Sequence, residues 1–508
     1  MDLIAVILAA GLGKRMKSKL PKVMHKLCGR PIIRYAVKVA REAGAAKVVV
    51  VVGHGREAVE AELGSEVEYV YQEEQLGTAH AVMQAREVIE DYMRLRGEGK
   101  GRDASAGISA GVSASEDPGE ASGMGACDVL VMAGDMPLLE TPDIVRLVEE
   151  HRRNGADVTI LSAIFDEPID FGRVVRDNQG NVTKVVEERD ASPEEAAIRE
   201  MNTSIYCFRA SSLFESLKCI DASNAQKEYY LTDAIGILAG MGRKVHAVVA
   251  RDSSTVKGIN SRRQLAEAEA ILRERIRQRH MDEGVTMIDP GTTFIDEGVT
   301  IGRDTIIYPL SFIEGATSIG EDCVIGPNVR LRDVKVGSGA KIENAVIYQS
   351  SIGPGASVGP FAYIRPETVV EEGARVGTFV EIKKSYIGKG SKVPHQSYVG
   401  DATLGEGVNI GAGTITCNYD GRRKHKTLIG DNVFIGSNTN LVAPVNIHKG
   451  AYVAAGSTIT MDVPEGALGI ARGHQRNIEN WVARRRQTEE QKQEEQKQGK
   501  QKEEQKEE

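Results

Sequence analysis

Two hydrophobic rhythms divide the chain. In the first half, short apolar, β-branched runs at 3–8, 47–52, 67–71, 128–132 and 157–161 alternate with longer segments of helical spacing, among them 31–43, 78–92 and 141–154. A strand buried on both faces reads as a continuous apolar run, and an amphipathic helix repeats every 3.6 residues. Their alternation predicts a mostly parallel, Rossmann-like α/β sheet. Residues 262–280 contain no Gly or Pro, and Leu265, Ala268, Leu272 and Ile276 share one face. That spacing predicts an amphipathic helix joining two domains.

From Ile301 the period becomes six. Apolar residues fall at Ile301, Ile307, Ile313, Ile319, Ile325 and Leu331. After a slip they resume at Ile352, Val358, Ile364, Val370, Val376 and Ile382, then at Ile387, Val393 and Val399, then at Leu404 and Ile410. They close with Ile429, Ile435, Leu441, Ile447, Val453 and Ile459. Neither a helix nor an alternating strand has this period. A hexapeptide repeat marks a parallel β-helix, one hexapeptide per flat face, with each apolar residue pointing into a thin shared core. The polar, basic stretch at 416–428, T-C-N-Y-D-G-R-R-K-H-K-T-L, interrupts the repeat. Solenoids place such insertions as surface loops, often at a binding face.

Two stretches carry neither rhythm. Residues 97–126 are rich in Gly, Ala and Ser, which predicts a disordered surface loop inserted before a core strand. Residues 487–508 are Gln, Glu and Lys with one Thr and one Gly, either disordered or a solvated single helix. The expected organisation is an α/β domain over 1–251, a linker with a long helix over 252–283, a β-helix over 284–480 and a charged tail over 481–508. At ~150 residues per domain, the 508 residues suggest about three domains.

Composition narrows the function classes. A net charge of -8 argues against a nucleic-acid partner, which usually calls for a basic excess. No run approaches the ~18–20 apolar residues of a membrane span. Asp2 stands where a basic leader would be, so the apolar start reads as a buried strand rather than a signal peptide. The six cysteines form no C-x-x-C pair, so neither a disulfide framework nor a zinc site is expected, and the chain reads as cytoplasmic.

Candidate chemistry in the first half begins with L-A-A-G-L-G-K-R-M at 8–16, a Gly-rich turn after the first strand, followed by K-L-P-K at 19–22. Such a turn lets backbone N–H groups approach a phosphate or a base. Arg15 and Lys22 add positive charge where a triphosphate sits. The spacing is neither G-x-G-x-x-G, since Met16 fills the last place, nor a Walker A loop, since Arg15 follows Gly13-Lys14. Q-L-G-T at 75–78 opens a helix, and A-G-D-M-P-L at 133–138 follows an apolar strand. An Asp at the carboxyl end of a parallel strand faces the ligand crevice. There Asp135 suits Mg²⁺, which takes one or two carboxylates beside phosphate oxygens.

In the second half, F-V-E-I-K-K at 379–384 is followed by P-H-Q-S-Y-V-G-D at 394–401 and N-I-G-A-G-T-I-T-C-N-Y-D at 409–420. His395 is one of ten histidines, but it lies near Lys383, Lys384 and Tyr398. A base of near-neutral pKa suits acyl transfer to an amine. Lysines with Arg365 suit a sugar phosphate.

With these motifs, the first half resembles the sugar-1-phosphate nucleotidyltransferases. Joined to a hexapeptide β-helix, the chain resembles the bacterial bifunctional glucosamine-1-phosphate acetyltransferases and N-acetylglucosamine-1-phosphate uridyltransferases, over residues 1 to about 480. The resemblance implies a left-handed β-helix, a homotrimer with acetyl-transfer sites between neighbours, and UTP and acetyl-coenzyme A as cosubstrates. It implies that Leu8, Ala9, Ala10, Gly11, Gln72, Gly77 and Thr78 hold the uridine. Arg15 and Lys22 then meet the triphosphate, and Asp135 with Asn260 binds Mg²⁺. Gly172, Glu187 and Asn202 contact the N-acetylglucosamine. His395 is the implied base for the 2-amino group of glucosamine 1-phosphate, which Arg365, Lys383, Tyr398 and Asn409 bind. Ala412, Ser437, Ala455 and Arg472 line the acetyl-coenzyme A site, bracketed by Asn418 and Tyr419. Glu381 is the candidate for orienting the base. Cys417 is not expected to act as a nucleophile, since direct transfer in this family uses no acyl-enzyme.

The chain departs from the family pattern at Ala133, at Asp170-Phe171, at Ser204 and at Lys227, mostly on the sugar side. Two other readings compete with the bifunctional enzyme. In one, a single-function sugar-1-phosphate nucleotidyltransferase carries the β-helix as an assembly scaffold. In the other, the chain is a non-enzymatic member of the nucleotidyltransferase fold, which Arg15, Lys22, Asp135 and His395 argue against.

Overall fold

The computed structural model describes residues 1–11, 13–103, 127–166 and 171–507; of 97–103, 500–501 and 503–507 it describes the backbone alone. The chain forms two compact units, Met1–Asp333 and Val334–Glu508.

The first unit is built on one large sheet. Its strand order is Val245–Val249, Val158–Ile164, Glu200–Arg209, Cys127–Ala133, Asp2–Leu8, Lys47–Val52 and Glu68–Tyr71. The apolar runs read from the sequence are five of these seven strands. Asp2–Leu8 lies centrally, parallel to both neighbours. Ile4, Ala5, Val6 and Ile7 are fully buried, which explains a run with no polar alternation. The sheet is not wholly parallel. Glu200–Arg209 runs antiparallel to both flanking strands and carries a bulge between Asn202 and Ile205. A hairpin of Arg173–Arg176 and Val182–Val186 attaches to it.

Helices cover the sheet. Ile32–Glu42 and Thr141–Asn154 fall where the periodicity places them. The segment read as one helix from 78 is two, Thr78–Gln84 and Arg86–Asp103, broken at Ala85. Ala79, Val82, Ala85 and Ile89 stay buried across the break. The second helix runs seven residues into the stretch expected to be a loop; 104–126 lie outside the described residues, as does Asp170. Arg262–Asp282 forms the long helix, capped by Ser261, whose hydroxyl accepts from Gln264 N–H at 3.2 Å.

The six-residue rhythm is realised as short parallel strands, described for each unit in turn. In the first unit they stack in three ladders. Thr286–Met287 pairs with Ile306–Ile307, which pairs with Val324–Ile325. Thr293–Ile295 pairs with Ser311–Glu314, and Thr300–Ile301 with Ser318–Ile319. In the second unit the same three-ladder pattern runs from Lys335–Val336 to Leu468–Gly469. Every apolar position of the hexapeptide series is buried, from Ile301 at 8% exposed to Ile435 at 0%. Burying a Val or Ile side chain is worth about 1.5–3 kcal/mol, so the rungs supply the core that a single turn cannot. The slips are shortened rungs. Val336, Ile342, Ile347 and Ile352 are all buried, with two intervals of five. The architecture is thus a nucleotidyltransferase-like α/β sheet, a long helix and a left-handed parallel β-helix of hexapeptide repeats. The carboxyl-terminal tail is helical over Trp481–Glu507.

Candidate active sites

A cleft of about 460 Å³ opens at the carboxyl ends of the central strands of the first unit. Leu8, Ala9, Ala10 and Gly11 form one wall as the first strand ends. The turn is pinned from both sides. Ala9 N–H donates to Val51 O, and Gly134 N–H donates to Leu8 O, each at 2.9 Å. Gln75 Nε2 donates to Ala10 O at 2.9 Å, so the Gln of Q-L-G-T, given no role from sequence, braces the same turn. Opposite stand Gln72, Gly77 and Thr78. Gln72 is buried and donates from Nε2 to Gly77 O at 3.0 Å. Gly77 has φ +114°, and a Cβ there would lie 2.5 Å from Tyr229 O, so glycine is required.

The charged floor comes from three distant segments. Lys22 Nζ donates to Asp135 Oδ2 and, at 3.0 Å, to Asn260 Oδ1. The ammonium thus sits between a carboxylate and a carboxamide oxygen. Gly13, at φ +57°, admits Lys22; a Cβ there would lie 2.8 Å from the lysine Cβ. Ile259 N–H donates to Asp135 O at 3.0 Å and holds Asn260 at the cluster. Two hard oxygen donors already facing a cation suit Mg²⁺, which completes its shell with waters and phosphate oxygens. Arg15 is not on the wall of this cleft. It lines an adjoining cavity of about 440 Å³ that shares Phe171, Gly258 and Asn260 with it.

On the remaining side, Glu187 reaches the cleft and accepts from Thr232 Oγ1 at 3.1 Å. Gly172 and Asn202 stand behind the wall. Asn202 is buried, donates N–H to Gly172 O at 2.8 Å and donates Nδ2 to the Tyr206 hydroxyl at 2.7 Å. Its neighbours Ser204, Tyr206 and Phe171 face the cleft. Burial pushes the Tyr206 phenol well above its ordinary pKa, so its hydroxyl stays protonated. Ser204 and Lys227, two of the departures from the family pattern, both have left-handed backbone, at φ +61° and +56°. Glycine adopts that region without a Cβ penalty.

In the second unit, Arg365, Lys383 and Tyr398 belong to neighbouring coils of one face. Arg365 N–H donates to Ile382 O at 2.8 Å, and Glu381 pairs across the ladder with Tyr398. Glu381 does not turn to His395. Its carboxylate accepts from Arg365 Nη1 at 2.9 Å, because the guanidinium stands one coil away. His395 ends the strand Lys392–His395 and is exposed, with its imidazole free of side-chain partners among the described residues. Asn409 lies in the ladder beside it, opposite Lys392.

Asp401, passed over in the sequence although it closes P-H-Q-S-Y-V-G-D, ties this face together. It accepts from Asn418 Nδ2 at 2.6 Å and faces Lys383 Nζ at 3.8 Å. Asn418 Nδ2 is also 3.3 Å from the Tyr398 hydroxyl. The inserted loop is a small hairpin. Tyr419 bridges Lys424, and Asp420 accepts from His425 Nε2 at 2.7 Å. Backbone N–H groups of Arg423 and Arg422, with His425, hold the Asp420 carboxyl down to about 2. Contact with the Lys424 ammonium lowers the Lys383 pKa, with burial adding to it. Burial raises the Cys417 thiol, which fits its reading as an inert coil residue.

Ala412, Ser437, Ala455 and Arg472 stack along one corner. Asn438 N–H donates to Ala412 O at 2.7 Å, Gly456 N–H to Ser437 O at 2.8 Å, and Arg472 Nη1 to Ala455 O at 2.8 Å. Gly413 N–H donates to Gln396 O at 3.0 Å, which continues the corner to the residue after His395.

Comparison with known proteins agrees with this two-part organisation. Residues 5–182 match the family model of MobA-like NTP transferase domains, and 102–265 that of nucleotidyl transferases. Residues 298–333 and 426–460 match the bacterial transferase hexapeptide model. A bifunctional protein GlmU from Caldanaerobacter subterraneus subsp. tengcongensis is 52% identical over 484 residues, 95% of this chain and 98% of the relative. Namesakes from Heliobacterium modesticaldum and a Geobacillus species are 48% and 49% identical, over 95% and 94% of this chain and 98% and 97% of theirs. With identity of this extent along nearly the whole of each chain, and with both folds present, the chain belongs to the GlmU family of bifunctional proteins.

Proposed function

We propose that this protein is a bifunctional transferase of UDP-N-acetylglucosamine biosynthesis. It moves an acetyl group from acetyl-coenzyme A to glucosamine 1-phosphate, then couples the N-acetylated product to UTP with release of pyrophosphate. The observation that carries the second activity is the Lys22 ammonium set between Asp135 and Asn260 at the floor of the cleft.

Uridylyl transfer is in-line attack by a sugar-phosphate oxygen on the α-phosphorus of UTP. It depends on positioning and charge neutralisation more than on proton chemistry. The pinned turn Leu8–Gly11 and the Gln72, Gly77, Thr78 side hold the uridine. Asp135 and Asn260 would hold Mg²⁺, which when bound would neutralise phosphate oxygens. Lys22 and Arg15 bind the triphosphate. Glu187 contacts the sugar, and Gly172 and Asn202 act from behind the wall by setting Phe171, Ser204 and Tyr206.

Acetyl transfer belongs to the exposed face of the β-helix. Arg365, Lys383, Tyr398 and Asn409 bind the sugar phosphate. His395 takes the proton of the 2-amino group as nitrogen attacks the thioester carbonyl. The carbon–sulfur bond breaks, and the thiolate leaves and takes up a proton. Ala412, Ser437, Ala455 and Arg472, with Asn418 and Tyr419, receive acetyl-coenzyme A. The active assembly is a homotrimer in the cytoplasm. The exposed, stacked rings of Phe361 and Phe379, 5.5 Å apart, offer apolar surface for it. Among the described residues no helix is long and apolar enough to cross a membrane.

The test is a pair of assays on one preparation of His395→Ala beside the unmutated chain. Thiol release reads acetyl transfer, and pyrophosphate release reads uridylyl transfer. The expected result is loss of about 10²–10⁴ in thiol release alone, the usual worth of a positioned base. An unmutated chain that releases pyrophosphate but never thiol would make the β-helix a scaffold.

A further inference from the structure

The cavity beside the nucleotide cleft is walled by the long helix and by the segment that ends at Asn260. Among the described residues, Arg15 and Lys257 line it as cations and Glu267 as a carboxylate. Lys257 stands on a rigid support. Val256 and Ile259, on either side, are 0% and 1% exposed, and Ile259 N–H is bonded to Asp135 O. Gly258 packs against the Asp135 carboxylate, where a Cβ would lie 3.4 Å from Oδ2. The lysine therefore extends from the same backbone that presents Asn260 to the charged floor. Its ammonium lies 5.8 Å from the Phe165 ring centroid, and Phe165 meets Phe171 edge-on at 6.0 Å. Phe171 is shared by both cavities. Among the described residues no carboxylate pairs with Lys257, whereas Lys22 is already engaged by Asp135.

We infer that Lys257 is a pyrophosphate-binding residue and that the second cavity receives the leaving group. The inference rests on the uridylyl-transfer reading above. When the sugar-phosphate oxygen bonds to the α-phosphorus, the bond from that phosphorus to the α–β bridging oxygen breaks. Pyrophosphate departs with the electron pair, and its bridging oxygen becomes a terminal one. A multiply charged anion forming here meets Arg15 and Lys257 in a chamber reached past Asn260, Gly258 and Phe171. A lysine that packs on an aromatic face and makes no ion pair among the described residues is available to that anion.

The experiment uses full-length Lys257→Ala and Lys257→Arg beside the unmutated chain, run in reverse from UDP-N-acetylglucosamine and inorganic pyrophosphate. One charge-assisted hydrogen bond predicts a rise of about five- to tenfold in the KM for pyrophosphate in Lys257→Ala, and the same rise in its inhibition constant in the forward direction. The KM for N-acetylglucosamine 1-phosphate should stay unchanged, and Lys257→Arg should remain within about twofold of the unmutated chain. The unchanged KM for N-acetylglucosamine 1-phosphate also reports that the nucleotide cleft of the variants is intact. An unchanged pyrophosphate KM in Lys257→Ala, or an equal rise in Lys257→Arg, overturns the assignment. If the unmutated chain neither makes nor consumes pyrophosphate, the uridylyl-transfer reading fails and the assignment falls with it.

Discussion

Arg365 and Glu381 face each other across adjacent coils, Nη1 to Oε1 at 2.9 Å, and this pairing takes the carboxylate away from His395. Both side chains are more than a third exposed, so the pair is worth little to stability. Its consequence is for substrate. On the proposed reading, in which Arg365 binds the sugar phosphate, Glu381 competes with it for the guanidinium. Glu381→Gln should therefore lower the KM for glucosamine 1-phosphate by about two- to fivefold, in line with a surface ion pair. The pH dependence of kcat should not move. A fall in kcat with a shifted profile would instead return Glu381 to the role of orienting the base.

Lys22 and Asp135 make the matching prediction at the other site. Asp135→Asn removes the charge that fixes the ammonium and leaves two neutral carboxamide oxygens where a carboxylate and a carboxamide stood. Uridylyl transfer should fall by about 10²–10³, the usual cost of losing one electrostatic element of a site. The Mg²⁺ concentration for half-maximal rate should rise, and thiol release should be unaffected. Titrating Mg²⁺ against pyrophosphate release checks all three.

With Lys383 in its proposed role of binding the sugar phosphate, Lys383 and Lys424 predict a pH limit on acetyl transfer. The neighbouring ammonium lowers the Lys383 pKa, so Lys383 loses its charge at a lower pH than an ordinary lysine. The KM for glucosamine 1-phosphate should rise as pH climbs through that lowered pKa. Lys424→Gln removes the opposing charge, lifts the Lys383 pKa and moves the rise to higher pH. KM measured against pH for the two proteins decides it.

Lys227 bears a Cβ at φ +56° and is exposed. Relief of the left-handed penalty, about 1–2 kcal/mol, outweighs the entropy that glycine adds to the unfolded chain, about 0.5–1 kcal/mol. Lys227→Gly should stabilise the first unit by about 0.5–1 kcal/mol. A thermal or urea melt that shows no gain would mean that the surrounding turn relaxes the strain in another way.

The β-helix was the most legible part of the molecule. One apolar residue every six positions is a local instruction, and each such position from Ile301 to Ile459 is buried. The parallel strands of the α/β sheet were legible for the same reason, since a doubly covered strand has no polar alternation. Glu200–Arg209 was not. Its antiparallel direction and its bulge depend on partners at 127–133 and 158–164, and nothing within the strand encodes them. The break at Ala85 was equally hidden, because the apolar spacing continues through it.

The sequence by itself determined the two rhythms, the motifs that carry charge and turn chemistry, and therefore the fold class and the family resemblance. These are properties of neighbours along the chain. Only the tertiary structure decided which distant groups meet. It set Lys22 between Asp135 and Asn260, gave Glu381 to Arg365, made Asp401 the link between Lys383 and Asn418, and stood Lys257 beside Arg15. Each of those relations spans segments separated along the chain. Local spacing sets which face a residue occupies. Packing of whole elements sets what that face meets, and electrostatic chemistry depends on the second.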